Sequence, residues 1–457
     1  MRIARAAAAV ALLVTAPWSL VSLNGATATR STKKKKTTKK APVKRKPARR
    51  VAVPPVSAHA REAASEAVTE TLAQNVDLPL ENPAAMVPFF EMLHRMSAGQ
   101  ASGPLSILHY GDSHTAADEW TGSLRALLQA QFGDGGGGYS FAGRPFNSYR
   151  RLDLKSGESR GWKSEGLLAR DGDGLNGLGG VSITTSRANE HVYLQAECGK
   201  LELFYLQQPG GGDLQLFDNG EPVKKISTSG ELGPGYFTYT AQPGAHYFEL
   251  QTLKRAPVRL FGWVSEKDKG VTYETLGING AQASIVFRWD ENLFSSNIAR
   301  RNPALIVLAY GTNEAGNSDW TQESYQKMFS ALIHRFRQAA PAASILVLGP
   351  PDRDFRSQGR WAPYSKIDRI VAAQREAALA NRCAFWDMRE KMGGKGAMQQ
   401  WVTAGLAQYD HVHFTAPGYR RLGYTLFRDL MYNYEQYTKV RQELASRVTN
   451  EQTSEDR

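Results

Sequence analysis

From Val271 onward the chain repeats one pattern: a short, almost uninterrupted apolar run, then a longer segment with apolar residues at helical spacing. Strand Val271–Ile278 leads to helix Ala281–Asn297, Leu305–Tyr310 to Gln322–Ala339, Ser344–Leu348 to Ser365–Asn381, and Ala384–Asp387 to a closing helix, Pro417–Tyr432. Strands without a polar face must be covered on both sides, and parallel neighbours need a crossover to return. The pattern therefore predicts a parallel sheet between two layers of helices. The same unit occurs once earlier. Leu105–Tyr110 is an apolar strand, and Asp118–Phe132 carries Trp120, Leu124, Leu127 and Leu128 on one helical face before Gly133 stops it. A short amphipathic helix, Met86–Met96, precedes that strand.

The segment between these two stretches follows another rule. Residues 139–265 hold 19 of the chain's 42 glycines and show no helical periodicity. Short runs such as Val181–Thr185, Leu201–Leu206, Leu214–Phe217, Tyr236–Tyr239, Tyr247–Leu250 and Val258–Val264 alternate with turn signals like Asp218-Asn219-Gly220. Evenly spaced strands with Gly-rich turns indicate a β-sandwich. The expected fold is thus α/β: a flavodoxin-like α/β/α sandwich of residues 81–138 and 266–440, with a jelly-roll-like β-sandwich, 139–265, inserted into it. Residues 441–457 are expected to be a polar tail. No repeat of fixed period occurs.

The net charge of +12 on 457 residues is misleading. Residues 1–50 carry 14 Lys and Arg and no acid, which leaves 42 basic against 44 acidic residues from Val51 on, a net −2. A near-neutral body argues against nucleic acid as a partner. Arg2 and Arg5 precede the apolar run Ala6–Val21, and Ala26-Thr27-Ala28 supplies small residues at −3 and −1, so residues 1–28 read as a secretory signal cleaved after Ala28. The alternative is an uncleaved anchor, but the run is shorter than the roughly 20 residues a stable span prefers. The mature chain is expected to be exported, periplasmic or envelope-associated, with no stable transmembrane anchor.

Residues 29–80 read as a disordered basic, Pro- and Ala-rich segment with one helical stretch, Ala58–Ala73. Ser31–Arg50 repels itself and has no apolar face. It reads either as a solvated linker or as an electrostatic tether to an anionic envelope component. Cys198 and Cys383 fall in different domains, match no metal spacing, and are either paired or simply buried.

In open α/β sheets the functional groups gather at the carboxyl ends of the strands. Here those ends read Tyr110-Gly111-Asp112-Ser113-His114-Thr115, Gly277-Ile278-Asn279-Gly280-Ala281 and Tyr310-Gly311-Thr312-Asn313-Glu314, and Asp410-His411-Val412-His413 opens the last helix. These residues suit acyl transfer. A serine hydroxyl needs a base, and Ser113 has one in His413. The imidazole needs a carboxylate on Nδ1, and Asp410 lies three residues away. The oxyanion needs fixed donors, available from the N–H groups of Ser113 and Gly280 and the amide of Asn313.

Gly111-Asp112-Ser113, the Gly280 loop, Gly311-Thr312-Asn313 and Asp410-x-x-His413 resemble, in order, blocks I, II, III and V of the SGNH (GDSL-type) hydrolases. The resemblance covers about 105–135 and 271–435. It implies Ser113 as nucleophile, Asp410 and His413 as the rest of the triad, and Ser113, Gly280 and Asn313 as the oxyanion hole, with no cofactor and no metal. Block III ends in Glu314 where many members have Asp, and Gly277 competes with Gly280, which is favoured because it follows Asn279 at the strand's end. The longer string Gly111 to Asp118 and the inserted sandwich, with Gly143-Arg144-Pro145 and Gly161-Trp162, resemble the exported peptidoglycan O-acetylesterases, whose insertion is carbohydrate-binding-like. The implied activity is a serine esterase that removes O-acetyl groups from a cell-wall glycan such as peptidoglycan.

Other readings remain. The same triad serves an O-acetyltransferase if a sugar hydroxyl replaces water, and a chain dominated by its sandwich and tail would be a non-catalytic glycan-binding adaptor. Asp112, His114, Asn313, His411 and His413 also read as the ends of a two-metal phosphoesterase, but no strand-end Gly-Asp supplies the bridging carboxylate. Trp162 and Trp263 read as sandwich core rather than sugar platforms, and Gly135–Gly138 as a flexible rim of the cleft.

Overall fold

A computed structural model describes residues 56–74 and 80–455 of the chain, with side chains to 447. The expected leader and basic arm lie outside the described residues. Five parallel strands, β1 (Pro104–Gly111), β2 (Gly270–Gly277), β3 (Leu305–Ala309), β4 (Ser344–Gly349) and β5 (Ala384–Asp387), form one sheet in the order β2-β1-β3-β4-β5. The order reverses between β1 and β3, which is where doubly wound sheets open a crevice.

The apolar runs are explained by two cores. Alternate side chains point to opposite faces. Tyr110, Ile306, Leu308, Ile345, Val347 and Phe385 pack with Phe294, Phe329, Phe336 and Ile370 on one side. Ile107, Leu305, Val307, Leu346, Leu348 and Trp386 pack with Trp120, Leu124, Leu422 and Leu426 on the other. No position in these strands could be polar without a partner, which is why they read as continuous runs.

Helix boundaries follow their caps. Gln322–Ala339 starts where Thr321 Oγ1 accepts the amide of Ser324 at 3.1 Å and buries Tyr325, Phe329, Leu332, Ile333 and Phe336. The stretch expected as one helix from Ala281 to Asn297 is instead a 3₁₀ turn, Ala283–Arg288, and a helix, Glu291–Arg301. Trp289 is extended and Asp290 caps the second helix by accepting the amide of Leu293 at 2.9 Å, so a new start signal overrode the apolar spacing. The last helix runs from Ala416 to Glu455, so residues 441–455 are helical rather than a tail. Arg441 Nε donates to Glu91 at 2.9 Å and holds that extension to the body. Within the segment expected to be mostly disordered, the helical stretch expected at Ala58–Ala73 is present and docked on the body. Helix Ala58–Gln74 buries Val68 and Leu72, and Arg421 donates to Thr69 Oγ1 at 2.9 Å. No helix of the described residues is long and apolar enough to cross a membrane.

The insertion is a nine-stranded, mostly antiparallel sheet lying between helix Glu119–Phe132 and β2. Its long strands His191–Gln207 and Gly233–Thr252 pair antiparallel along nearly their whole length. Their register shifts between Cys198 and Lys200. Before the shift Val192, Leu194, Ala196 and Cys198 face the sandwich core, and after it Leu201, Leu203 and Tyr205 do. One extra residue in a strand changes which parity points inward, so the bulge keeps both halves facing the same interior while the strand bends. Beyond the bulge, Phe204 and Leu206 point the other way, into the core that holds Tyr110, Leu276 and Phe294.

Buried ion pairs lie along the same boundary: Arg301 donates to Glu266 at 2.7 Å and to Glu274 at 3.0 Å. Asp118, in left-handed conformation, accepts from Arg125 at 2.6 Å and from the amide of Leu152 at 2.7 Å. Trp162 and Trp263 are both buried in the sandwich core. Gly135–Gly138 is not a flexible rim. It is buried where the chain crosses β2, and a Cβ on Gly135 would lie 2.8 Å from the Val271 carbonyl carbon. Cys198 and Cys383 are unpaired and buried, and burial pushes both thiols up to about 11.

Candidate active site

Strands β1 and β2 end together at the paired glycines Gly111 and Gly277. A Cβ on Gly111 would sit 2.2 Å from Thr115 Oγ1, and one on Gly277 would sit 2.2 Å from the Ala116 amide. Only glycine lets the turn after β1 fold back over the sheet this tightly. That turn is the short helix Ser113–Ala116, capped by Asp112, whose carboxylate accepts the amide of His114 at 3.0 Å. Ser113 stands at its start, half-buried.

The structure brings Ser113, His413 and Asp410 together. Ser113 Oγ lies 2.9 Å from His413 Nε2, and His413 Nδ1 lies 2.7 Å from Asp410 Oδ2. The other carboxylate oxygen of Asp410 accepts the amides of Val412 and His413, each at 3.0 Å. With the ring proton on Nδ1 and donated to Asp410, the Nε2 lone pair faces the serine hydroxyl, the arrangement a general base needs. The Asp410 hydrogen bond holds the His413 imidazolium above its ordinary range, against an opposing effect of burial. Burial raises the Asp410 carboxyl, but the His413 contact and the two amides outweigh it and leave the group well below its usual value.

Gly280 sits in the exposed turn after β2, with φ +75, where the Ala281 amide donates to the Ile278 carbonyl at 3.1 Å. Gly277 is buried within β2 and engaged in packing. Asn313 donates to the Ala281 carbonyl at 2.9 Å and lies 3.4 Å from Asp112 Oδ2. Glu314 does not reach the cleft. Fully buried, it accepts the amides of Ala283 at 2.7 Å and Gly311 at 3.0 Å and the hydroxyl of Tyr325 at 3.2 Å, and so ties the second and third strand ends together. Burial raises its carboxyl to about 7, and that of Asp112 to about 6.

Residues 239–421 match the model of the GDSL-like Lipase/Acylhydrolase family, a stretch that includes Asn313, Asp410 and His413 and begins after Ser113. The structure is also similar to that of a peptidoglycan O-acetylesterase, at a TM-score of 0.67 and 26% identity over 76% of this chain and 96% of the other. Together these similarities support a carboxylic ester hydrolase of the SGNH, or GDSL, type. Two further solved structures are similar to the hydrolase at lower scores. One is an active-site mutant of a family two carbohydrate esterase from Clostridium thermocellum, with a TM-score of 0.27 and 12% identity over 60% of this chain and 98% of that one. The other is a salicylyl-acyltransferase from a tetracycline biosynthetic pathway, with a TM-score of 0.29 and 12% identity over 62% and 98%. No curated protein matches the hydrolase in sequence.

Around Ser113 the hydrolase has an open cleft of about 400 Å³, lined by Glu119, Ser148, Arg150, Asn279, Gln408, Thr415 and Tyr419 as well as His413. Ser148 and Arg150 come from the insertion's first loop, and Asn279 donates to Ser148 Oγ across the cleft. The histidines that suggested a metal site are engaged elsewhere. His114 bonds Tyr419 Oη at 2.9 Å, and burial pushes its imidazole down to about 3. His411 bonds Asp354 at 2.6 Å. Among the described residues no three His, Cys, Asp or Glu side chains converge as a metal site would require.

Two neighbours of the Ser113–His413–Asp410 cluster escaped sequence reasoning. Arg353 donates to the Thr312 carbonyl at 2.8 Å, and its charge acts on His413. It follows β4 as the other polar motifs follow their strands, so the strand-end rule would have flagged it. Tyr419, in the first turns of the last helix, carries no such signal.

Proposed function

We propose that the hydrolase is an exported serine esterase that removes acetyl groups from a cell-wall glycan, peptidoglycan in particular. Ser113, His413 and Asp410 form its triad. The observation that carries this reading is the unbroken relay from Ser113 Oγ through His413 to Asp410, at 2.9 and 2.7 Å. The similarity to a peptidoglycan O-acetylesterase over most of both chains supports the substrate, as does a cleft walled by hydroxyl, amide and charged side chains.

His413 takes the Ser113 proton as Oγ attacks the acetyl carbonyl. The imidazolium is stabilised by Asp410 and then protonates the departing sugar oxygen. The oxyanion draws on the Ser113 and Gly280 amides and on the Asn313 side-chain amide, which exchanges its long bond to Asp112 Oδ2, 3.4 Å, for the developing charge; each such donor is worth about 3 kcal/mol in the transition state. Gly277 is spent on packing, which favours Gly280 in that role. Water then attacks the acyl-enzyme, with His413 again the base, and acetate leaves. No cofactor enters these steps.

The test is acetate release from O-acetylated peptidoglycan and from an aryl acetate by the wild type and Ser113→Ala. Activity retained by the variant would sink the triad. Acetylated product formed when an acceptor glycan is added would make the enzyme a transferase instead. The basic arm is proposed to hold the exported enzyme against an anionic envelope component. Envelope binding should then weaken as salt rises and be lost when residues 30–50 are removed.

A further inference from the structure

We infer that His411 is a positioning residue for the Asp410–His413 pair, braced by Asp354 and Trp361 of a β-hairpin that lies between β4 and the next helix. This rests on the proposed triad. The hairpin pairs strand Asp354–Ser357 with strand Arg360–Pro363 and precedes helix Lys366–Ala380.

His411 has φ +56, a left-handed conformation that a residue with a Cβ keeps only when its surroundings impose it. Three contacts from the hairpin do so. Nδ1 of His411 lies 2.6 Å from Asp354 Oδ2, and the Asp354 amide donates to the His411 carbonyl at 3.1 Å. The imidazole stacks on Trp361 with ring centroids 4.0 Å apart and planes 17° from parallel. Arg356, paired opposite Trp361 in the hairpin, lies over the indole, 5.4 Å from the ring centroid. One ring face, the Nδ1 edge and the main chain of His411 are thus tied to an element that contains no triad residue.

The left-handed residue is what closes the turn. It follows Asp410 directly, and the chain beyond it returns the amides of Val412 and His413 to one carboxylate oxygen, each at 3.0 Å. The other oxygen is then free to accept from His413 Nδ1 at 2.7 Å. A residue at 411 in helical or extended conformation would carry His413 along a different path and break the carboxylate–imidazole contact. The charged and titratable groups facing His413 are Asp410 on its own turn, Asp112 and His114 after β1, and Arg353 after β4. Asp354 is the one facing His411 directly, with Arg356 beyond the indole.

The experiment compares His411→Ala, His411→Asn and Trp361→Ala in the full chain, with an aryl acetate as substrate and Ser113→Ala as control. Displacing a catalytic group by about an ångström costs roughly 100-fold. His411→Ala should lower kcat by about 10- to 100-fold with KM little changed. It should also move the acid limb of the pH profile to lower pH, because the raised imidazole depends on Asp410. Trp361→Ala should do the same more weakly. Asn tolerates the left-handed conformation and its amide can donate to Asp354, so His411→Asn should recover most of the rate and restore the acid limb. An unmoved acid limb in both alanine variants, or an asparagine variant no better than alanine, overturns the inference. If Ser113→Ala stays active the triad itself fails; if it is inactive while His411→Ala behaves as wild type, only the brace fails.

Discussion

Ser113 Oγ and His413 Nε2 meet at 2.9 Å across 300 residues of chain. One stands on the turn after β1, beside the edge strand β2, and the other on the loop before the last helix. Both are held by features that leave little freedom: a glycine pair where β1 and β2 end and a carboxylate that accepts two amides and the imidazole.

The pH dependence should follow from Asp410. The base must be neutral to act, and its pKa is held above the ordinary 6.5 by the carboxylate. Activity should therefore fall on acidification at a higher pH than for a free imidazole. Asp410→Asn removes the largest upward influence, so the acid limb should move down while kcat drops by about 10⁴. Initial rates from pH 5 to 9 check both.

Asn313→Ala removes the proposed side-chain oxyanion donor and should lower kcat by about 10²–10³ with KM little changed. The lost bond to the Ala281 carbonyl should cost only about 1 kcal/mol of stability. Kinetics and denaturant unfolding on the same sample separate the two effects.

Glu314 should make stability fall between weakly acidic and neutral pH. Its carboxyl is raised from 4.5 to about 7 in the folded state, so its favourable contribution is complete below pH 4.5 and is lost as pH rises to 7. The span corresponds to about 3 kcal/mol. Glu314→Gln is uncharged throughout. Its melting temperature relative to wild type should therefore be lowest near pH 4.5 and improve toward pH 7.5.

Asp118→Asn keeps a residue that accepts the left-handed conformation but removes the charge between Arg125 and Arg151. Two buried guanidinium groups then lose one of two shared carboxylates, Asp153 still pairing with both at 2.9 and 2.8 Å, at a cost of about 1.5–3 kcal/mol in denaturant unfolding. Because Asp118 also accepts the amide of Leu152, the loop carrying Ser148 and Arg150 into the cleft should loosen, and KM should rise more than kcat falls.

The layout of the sheet was legible because its strands cannot be polar, and the meeting of Ser113, His413 and Asp410 because each sits in a short polar motif at a strand or helix end. Helix Gln322–Ala339 was readable to the residue, since its cap and apolar spacing agree. Ala281–Asn297 misled because Ile285, Val286, Leu293 and Phe294 keep helical spacing across a break that only the cap at Asp290 marks. The hairpin Asp354–Pro363 and the partners of Glu314 depend on distant chain, and no local pattern announces them. Nor did the extension to Glu455 show, because its anchor, Glu91, lies at the other end of the protein.

The strand that carries Phe204 and Leu206 has its sandwich on one face and the interior of the catalytic half on the other. The insertion is therefore not a removable module. Cutting it out would open the catalytic half along a wall of aromatic side chains, and a protease acting in its loops would leave both halves associated. Heating should melt the two together in one calorimetric transition, and grafting the insertion onto a relative would require transplanting the surface beneath it as well.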